Sequence, residues 1–361
     1  MVEDDKGFRY PQIDYSRCNK CGLCDRVCAF NEHYKGYGNH PSIYAVKNKD
    51  EAVRNTSSSG GMFTAISDKI LEDGGIVYGA GYKDRLYVCH KRATTKEQRD
   101  EFKGSKYVQS DIGRSFIRAK QDLDNDLKVL FTGTPCQVSA LRSFLQKDYE
   151  NLLTVDFVCH GTPSNKLWQD YLDVIEKDTR NKVVDADFRD KDKGWRAQKT
   201  KLHFQDKQTT KIKGEQSFFY LFVYNFMLMP SCHNCKYTNF NRVGDITVAD
   251  FWGIEQIMPG FNDDTGISLV LVNSDKGAAL LESIKNGLEI RTSGQQDCFL
   301  QKNLKCASLK HNASDQFWND YHKRGMRYVV IKYTDYGILG TFIKKVIRKI
   351  KSMKASYTRQ D

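Results

Sequence analysis

The sequence predicts an α/β fold whose core contains parallel strand-turn-helix units. Two segments are built alike, each with an apolar strand, a Gly-Thr-Pro turn and an amphipathic helix: LKVLFTGTPCQVSALRSFL (127–145) and LLTVDFVCHGTPSNKLWQDYL (152–172). Successive units of this kind imply parallel strands with both turns at the carboxyl edge of the sheet, where open α/β sheets bind ligands. A small cysteine-rich segment precedes this core, and a basic amphipathic helix is predicted to follow it.

Composition limits the class of protein. A chain of 361 residues, 40% hydrophobic and 28% charged, is ordinary globular material with room for about two domains. Its apolar runs are shorter than the ~18 residues needed to cross a bilayer, and its polar N-terminus does not resemble a signal sequence. We therefore expect a cytoplasmic protein, in which the eleven cysteines, an odd number, serve mainly as metal ligands rather than disulfides.

The first cysteine cluster has the spacing C-x2-C-x2-C-x3-C, formed by Cys18, Cys21, Cys24 and Cys28. This is the 4Fe-4S run of bacterial ferredoxins, in which the fourth cysteine serves the other of two clusters. No partner run is present in the sequence. We therefore predict a partial ferredoxin-like 4Fe-4S segment over 1–35. Its open ligand position is completed by Cys28 folding back, by water or by a residue of a partner.

The sequence after this run predicts a connection, then a helix and a strand. The stretch HYKGYGNHPSIYAVKNKD (33–50) indicates a linker or extended connection. Residues 57–59, all serine, are expected to cap a helix with apolar residues at helical spacing over 62–71; Asp-Gly-Gly (73–75) ends that helix and IVYGAGY (76–82) forms a strand. Gly60 and Gly61 leave helix N-terminal amides bare for a phosphate, although an ordinary capped helix explains the same residues.

The later cysteines form a second candidate set. Cys136 and Cys159 lie in the two Gly-Thr-Pro turns, so on neighbouring strands their thiolates could face one cluster; a buried structural thiol is the alternative for either. Cys232 and Cys235 form a C-x2-C pair, which alone fits half a zinc ribbon, a redox dithiol or half a cluster site. A second pair at zinc-ribbon spacing is missing, which favours one set of four. The other three cysteines are interpreted as structural: Cys89, Cys298 and Cys306.

The basic charge is concentrated at the end of the chain. Residues 332–361 carry eight Lys or Arg and two Asp, which gives 8 − 2 = +6 of the net +11. Within them, ILGTFIKKVIRKIKSMK (338–354) places apolar residues on one helical stripe and most basic residues elsewhere. We interpret this as a helix docked on its own domain, with docking on a membrane surface or on a partner as the alternative. Nucleic-acid binding is disfavoured because no recognition motif accompanies the charge.

Six motifs in order carry a resemblance to a known family: SSGGMFTAI (58–66), KGSKYVQSDIG (103–113), VLFTGTPCQVSAL (129–141), VDFVCHGTPS (155–164), FRDKDKGW (188–195) and CHNCKYTNFNRVGDITVADFWGI (232–254). Together they resemble the coenzyme F420 hydrogenase/dehydrogenase beta-subunit family, from about residue 10 to about residue 265.

This resemblance implies an iron-sulfur flavoprotein, with FAD and a 4Fe-4S cluster in the core and often a ferredoxin domain in front. It implies the same four core ligands as above. It also implies FAD contacts from bare amides and a nearby cation, at Ser59, Gly60, Gly61, Lys106, Gly133, Thr134, Pro135 and Gln137. The expected division is 1–35 as the ferredoxin-like segment, 36–125 as the flavin-binding part, 126–300 as the cluster-bearing part and 301–361 as the basic helical tail.

The expected function is electron transfer between a hydride donor or acceptor, FAD and the clusters. The hydride partner would be coenzyme F420, a nicotinamide or a biosynthetic intermediate, and a ferredoxin or another redox protein would be the protein partner. No side chain stands out as an acid, base or nucleophile, since the cofactor carries the chemistry. A non-catalytic electron-transfer or scaffold subunit of a larger complex, such as one in polysaccharide biosynthesis, is the alternative.

Overall fold

Twelve strands and eleven α-helices lie in the part of the chain that the structure, a computed structural model, describes: residues 1–30, 36–207, 212 and 214–336. The strands are β1 (Val2–Glu3), β2 (Arg9–Tyr10), β3 (Ser42–Asn48), β4 (Ile76–Lys83), β5 (Tyr87–Ala93), β6 (Val129–Gly133), β7 (Leu152–Phe157), β8 (Val183–Asp190), β9 (Lys199–Phe204), β10 (Ile246–Asp250), β11 (Ser268–Val272) and β12 (Leu288–Ser293). The helices are α1 (Leu23–Arg26), α2 (Glu51–Asn55), α3 (Met62–Glu72), α4 (Lys96–Asp100), α5 (Ser115–Asp124), α6 (Pro135–Leu145), α7 (Asn165–Thr179), α8 (Ser217–Val223), α9 (Ile254–Ile257), α10 (Asp275–Ile284) and α11 (Ser314–Tyr333).

One eight-stranded sheet forms the centre of the fold, in the order β12-β3-β11-β10-β7-β6-β4-β5. Its four inner strands, β10, β7, β6 and β4, are parallel, and the strands on both sides of them are antiparallel. The two strands that precede the Gly-Thr-Pro turns are parallel, as predicted, and they are direct neighbours: β6 pairs with β7 from Val129 opposite Leu152 to Gly133 opposite Asp156. The α/β prediction is therefore confirmed, with antiparallel edges that the sequence did not predict.

Helices cover both faces of the inner strands. Val129 and Phe131 of β6 pack against α5 and α6, whereas Leu130 between them packs against α3 on the other face. This alternation follows from the two-residue period of a strand, and it makes β6 a continuous apolar run because both of its faces are buried. The result is a three-layer core in which the turns after β6 and β7 reach the same edge.

A second apolar cluster lies beside the sheet and is rich in aromatic side chains. It joins α7, α8 and α11 to the β8–β9 hairpin, and its fully buried aromatic members include Trp168, Tyr171, Phe188, Phe218 and Phe317. The N-terminal β1–β2 hairpin adds Phe8 to this cluster. Helix α11 is kinked at Gly325, whose φ of 75° is one that glycine adopts without strain.

Two local predictions were wrong. Residues 42–48 of the predicted connection form β3, which lies between β11 and β12 in the sheet; consecutive Ala45 and Val46 are both buried, so the alternation that marks a strand is absent. Residues 57–59 do not cap α3, because the N-cap is Gly61 and carries no side-chain cap. The serine hydroxyls of Ser57 and Ser59 instead donate to the carbonyls of Val53 and Ile267.

The remaining helix predictions have mixed outcomes. Helix α3 and the strand after it lie where they were predicted, with Asp73 as the C-cap. The predicted basic helix at 338–354 lies outside the described residues. Within the ranges that are described, none of the helices combines the length and the apolar character that a membrane span requires.

Candidate functional site

The turn after β6 is stabilised by hydrogen bonds at the N-terminus of α6. Thr134 is the N-cap of α6, and its backbone N–H donates to Gln137 Oε1 over 3.0 Å. The other end of the Gln137 amide donates to the Ser110 carbonyl over 3.2 Å, so this side chain ties the turn to a second loop. Cys136 follows in the first helical turn, with its sulfur 3.1 Å from Thr134 Oγ1.

The turn after β7 lies close to the C-x2-C segment. Gly161, two residues after Cys159, has a φ of 134°, and a Cβ there would lie 2.8 Å from Leu228 and 3.3 Å from the Cβ of Cys232. The backbone N–H of Met229 donates to the Thr162 carbonyl over 2.9 Å, which fastens the two loops together. Cys232 lies in a short 3-10 helix over Pro230–Asn234, which Cys235 terminates.

The four later cysteines lie within electrostatic range of one another. Burial raises the pKa of the Cys232 thiol to about 12, and the neighbouring Cys136 and Cys235 add to the rise. Burial likewise raises the pKa of Cys159 well above its usual value, with further contributions from the other three thiols. Burial is also the largest cause of the raised pKa of Cys136, and Cys235 contributes to it. The four predicted thiols thus influence one another electrostatically, whereas among the described residues no group of three or more His, Cys, Asp or Glu side chains could hold a metal ion.

A buried ion pair connects the loop after Cys235 to the end of β7. Arg242 donates to Asp156 Oδ1 over 2.9 Å, and the two side chains are 1% and 0% exposed. The same guanidinium donates to the Tyr237 carbonyl over 2.6 Å, so it joins the loop after Cys235 to the end of β7. Its charge lowers the pKa of the Cys235 thiol, which burial otherwise raises. The sequence analysis did not select Arg242, although it lies in the last of the six motifs.

The N-terminal cysteine run lies against the same loop. Cys21 and Cys24 are exposed, and Cys18 and Cys28 are half-buried. The short helix α1 contains Cys24. The Ala29 carbonyl, next to Cys28, accepts a hydrogen bond from the Tyr237 hydroxyl. Beyond residues 31–35, the Tyr37 N–H donates to the Arg242 carbonyl over 2.9 Å. The described residues on both sides of the gap therefore contact the segment that follows Cys235.

A cavity of about 500 Å³ opens at the carboxyl edge of the inner strands. Its lining combines four loops: residues 57–63, residues 102–108, the turn at 132–137 and the turn at 157–162. Cys159 is therefore part of its wall. The ends of β10 and α8 complete it, together with residues 300–303. This volume is within the range of about 300–1,000 Å³ that is typical of small-molecule and cofactor sites.

Six of the eight residues predicted to contact FAD line this cavity: Ser59, Gly61, Lys106, Gly133, Thr134 and Gln137. The other two do not. The Gly60 N–H is taken by Ser268 Oγ at 3.1 Å, and a Cβ on Gly60 would lie 2.4 Å from the Val46 carbonyl, so this glycine serves close packing. Pro135 is buried in the first turn of α6.

Lys106 places a cation in the cavity wall. Its ammonium donates to the carbonyls of Lys103 and Gly104 over 2.8 and 3.2 Å. Burial lowers the pKa of Lys106 to about 8, because the charged form is poorly hydrated there. Gly61 has a φ of 84°, so a side chain at this position would strain the start of α3. Lys106 thus contributes a buried ammonium to the lining of the cavity.

Several lining residues were missed by the sequence analysis. His90 Nε2 lies 3.0 Å from the Thr132 carbonyl, so this nitrogen carries the proton, and Nδ1 accepts from Ser110 at 2.7 Å. Burial lowers the pKa of His90 to about 4, which keeps the ring neutral near pH 7. Arg189 forms an ion pair with Asp250 and lies over the ring of Trp252. The motif FRDKDKGW contained Arg189, whereas a lone histidine in a strand gave no signal.

The comparisons with known proteins give one family and one fold. Residues 126–297 match the family described as the C terminus of the beta subunit in coenzyme F420 hydrogenase/dehydrogenase. A chain of the F420-reducing [NiFe] hydrogenase complex from Methanosarcina barkeri has a similar fold, with a TM-score of 0.51 and 18% identity over 76% of this chain and 90% of that one. None of the curated proteins matches the sequence.

Breaking the buried ion pair should strongly destabilise the protein. We expect Arg242→Met to lower the free energy of unfolding by about 3–5 kcal/mol, because it leaves the Asp156 carboxylate buried without its partner. Arg85→Met is the matched control, since Arg85 pairs with Asp173 at the surface and is 62% exposed; we expect a loss below about 1 kcal/mol. Urea unfolding of both variants measures the difference, and equal losses would contradict this role of the pair.

Proposed function

Because residues 126–297 belong to the coenzyme F420 hydrogenase/dehydrogenase beta-subunit family, we propose that the protein is an iron-sulfur flavoprotein oxidoreductase. Electrons would pass between a hydride donor or acceptor, FAD in the cavity and 4Fe-4S clusters. The observation that carries this proposal is the position of Cys159. This thiol, one of the four core cysteines, lies in the wall of the cavity that also contains Gly61 and Lys106.

The residues of the cavity fit a dinucleotide flavin. The bare amide at the start of α3 and the ammonium of Lys106 suit a pyrophosphate. Phe219 and Phe222 of α8 line the same cavity and offer an apolar surface for a flat ring. When bound, FAD would supply the exchange between two-electron hydride chemistry and single-electron transfer, and the protein would hold and orient it.

The four core thiols fit a cubane better than a single ion. A 4Fe-4S cluster binds each cysteine through a different iron, so its ligands do not meet at one point. The raised pKa values of Cys136, Cys159 and Cys232 each include a contribution from at least one other thiol of the set, which supports assigning the four to one cluster. Cys136, Cys159, Cys232 and Cys235 would hold this core cluster.

The N-terminal run would extend the electron path. Cys18, Cys21, Cys24 and Cys28 are proposed as ligands of a second cluster, and the hydrogen bond from Tyr237 to the Ala29 carbonyl brings the end of this run to the loop after Cys235. Electrons would then pass from the cavity through the core cluster to this second cluster. A ferredoxin or another redox protein is the proposed partner there.

The hydride partner is less closely defined than the cofactors. Coenzyme F420, which the complex of the structural neighbour is named for reducing, a nicotinamide or a biosynthetic intermediate would each deliver a hydride to a flavin. The second candidate function is a non-catalytic electron-transfer or scaffold subunit. It is favoured by the neighbour's origin in a hydrogenase complex and by the exposed apolar side chains of Phe299 and Leu300, the latter at the cavity.

The test of the function uses anaerobic protein loaded with iron, sulfide and FAD. On mixing with reduced coenzyme F420 or NADH, we expect the flavin absorbance to fall first and the broad cluster absorbance to fall afterwards. Cys159→Ser should keep the first phase and lose the second. A loaded protein that dithionite reduces but no hydride donor reduces would favour the non-catalytic candidate, and a wild-type protein that retains no flavin would contradict the proposal.

Each core thiol should be needed for iron. We expect Cys136→Ser, Cys159→Ser, Cys232→Ser and Cys235→Ser each to lower the bound iron and sulfide, because serine is a poor substitute for a thiolate. Cys89→Ser and Cys306→Ser are the controls, since Cys89 lies in β5 away from this set and Cys306 is exposed. Iron and sulfide analysis after gel filtration measures the content. Unchanged content in the four ligand variants would overturn the assignment.

Flavin retention should depend on the charge of Lys106. Since its pKa is about 8 in the free protein, its ammonium is lost as the pH rises above that value, and a bound pyrophosphate shifts the loss to higher pH. We therefore expect FAD affinity to weaken between about pH 8 and pH 10. Lys106→Arg should remove this dependence, and Lys106→Glu should weaken binding at every pH.

The control for this experiment is Lys120→Glu, which changes the same charge on the exposed side of α5. Fluorescence titration of FAD from pH 7 to pH 10 measures all four proteins. Full flavin occupancy in Lys106→Glu would place the phosphate site elsewhere.

A further inference from the structure

One wall of the cavity contains a buried amide with an unused acceptor. Gln301 is 4% exposed, and its Nε2 donates to the carbonyls of Asp250 and Trp252 over 3.2 and 3.1 Å. Its Oε1 is buried and has no hydrogen-bond partner. Buried polar atoms without a partner are rare because they lose hydration without compensation. An orphaned acceptor in a cavity wall therefore indicates a ligand with a hydrogen-bond donor.

The orientation of this amide is fixed by its surroundings. Both partners of the nitrogen are carbonyl oxygens, which accept hydrogen bonds and cannot donate them. Rotating the amide would bring Oε1 against the same two oxygens and lose both bonds. Gln301 therefore presents an acceptor, and it selects a ligand that carries an N–H or O–H.

The nearby carboxylate is not available for the same purpose. Asp250, at the end of β10, forms its ion pair with Arg189 and accepts from Trp195 Nε1 over 2.9 Å. Its negative charge is compensated and two of its acceptor positions are occupied. Gln301 is thus a neutral acceptor placed beside a compensated ion pair.

Gln301 lies at the same end of the cavity as the core thiols. Two residues later, Asn303 Nδ2 donates to Ser308 Oγ over 3.1 Å, and Ser308 Oγ donates to the His160 carbonyl over 2.6 Å. These bonds hold the segment of Gln301 against the turn that contains Cys159. The redox-active ring of a flavin has to approach this end if electrons are to reach the thiol-bound cluster.

We propose that Gln301 Oε1 accepts a hydrogen bond from the imide N3–H of the bound isoalloxazine ring and thereby orients the ring toward Cys159. This inference rests on the proposed function and names the recognition of its cofactor. The ligand class is a flat heterocycle whose edge carries an N–H donor. Gln301 is a binding and orienting residue, and it lies outside the part of the chain that matches the family.

The experiment compares FAD with 3-methyl-FAD, which lacks this donor. We expect the wild-type protein to bind 3-methyl-FAD about tenfold more weakly, and Gln301→Leu to bind FAD about tenfold more weakly with no further loss for the analogue. Gln296→Leu, a change of an exposed glutamine on a nearby loop, should behave as wild type. FMN and 3-methyl-FMN should repeat the pattern, which excludes recognition of adenine by Gln301.

A second measurement does not depend on the methyl analogue. In wild-type protein loaded with flavin labelled with ¹⁵N at N3, the N3 proton should be protected from exchange with solvent, and Gln301→Leu should remove that protection. Equal binding of both flavins and an unprotected proton in wild type would overturn the inference while leaving the proposed function intact. Failure of wild type to bind either flavin would instead contradict the proposed function.

Discussion

Parallel pairing of β7 with β6 on one side and β10 on the other is the constraint on which the candidate site depends. Parallel strands end at the same edge, so the turns after β6 and β7 must emerge side by side. Cys136 and Cys159 are brought together by this pairing alone, with only about 4.8 Å between neighbouring strands. The apolar faces of β6, buried on both sides of the sheet, fix the register that sets their relative height.

The C-x2-C segment is held to that edge by buried polar groups. Arg242 spans the Tyr237 carbonyl and Asp156, so the loop after Cys235 is fastened to the last residues of β7. A buried guanidinium tolerates this position only because its charge and its donors are satisfied. Tyr237 continues the connection outward to Ala29. A single polar chain thereby links the inner strands, the core thiols and the N-terminal cysteine run.

Most of the polar groups described in the cavity wall already form hydrogen bonds or ion pairs within the protein. The hydrogen-bonding groups of His90 and Gln137 contact protein atoms, and the Asp250 carboxylate is paired, so these groups shape the wall. Gln301 differs because its acceptor has no partner within the protein. Lys106 differs because its charge is carried at a cost that an anion would relieve. Gln301 and Lys106 are therefore the two lining residues on which the proposed recognition of a ligand rests.

Periodic and short-range features could be predicted from the amino-acid sequence alone. The Gly-Thr-Pro turns, the helix over 62–72 and the spacing of the cysteine pairs were predictable because each depends on neighbours within a few residues. The α/β class followed from two successive units of the same kind. Strand β3 escaped detection because Ala45 and Val46 are both buried and leave no alternation.

Which residues meet at the site could not be predicted from the sequence and became apparent from the tertiary structure. Gln301 and His90 are far apart in the chain and lack a motif, and they share a wall because the sheet edge gathers loops from distant segments. Gly60 and Gly61 were both predicted to contact the ligand. Gly60 instead packs against the Val46 carbonyl, whereas Gly61 has a positive φ, and this difference between adjacent glycines has no signature in the sequence. Local pattern encodes which elements form, whereas burial and hydrogen-bond satisfaction between distant elements decide which side chains remain available to a ligand.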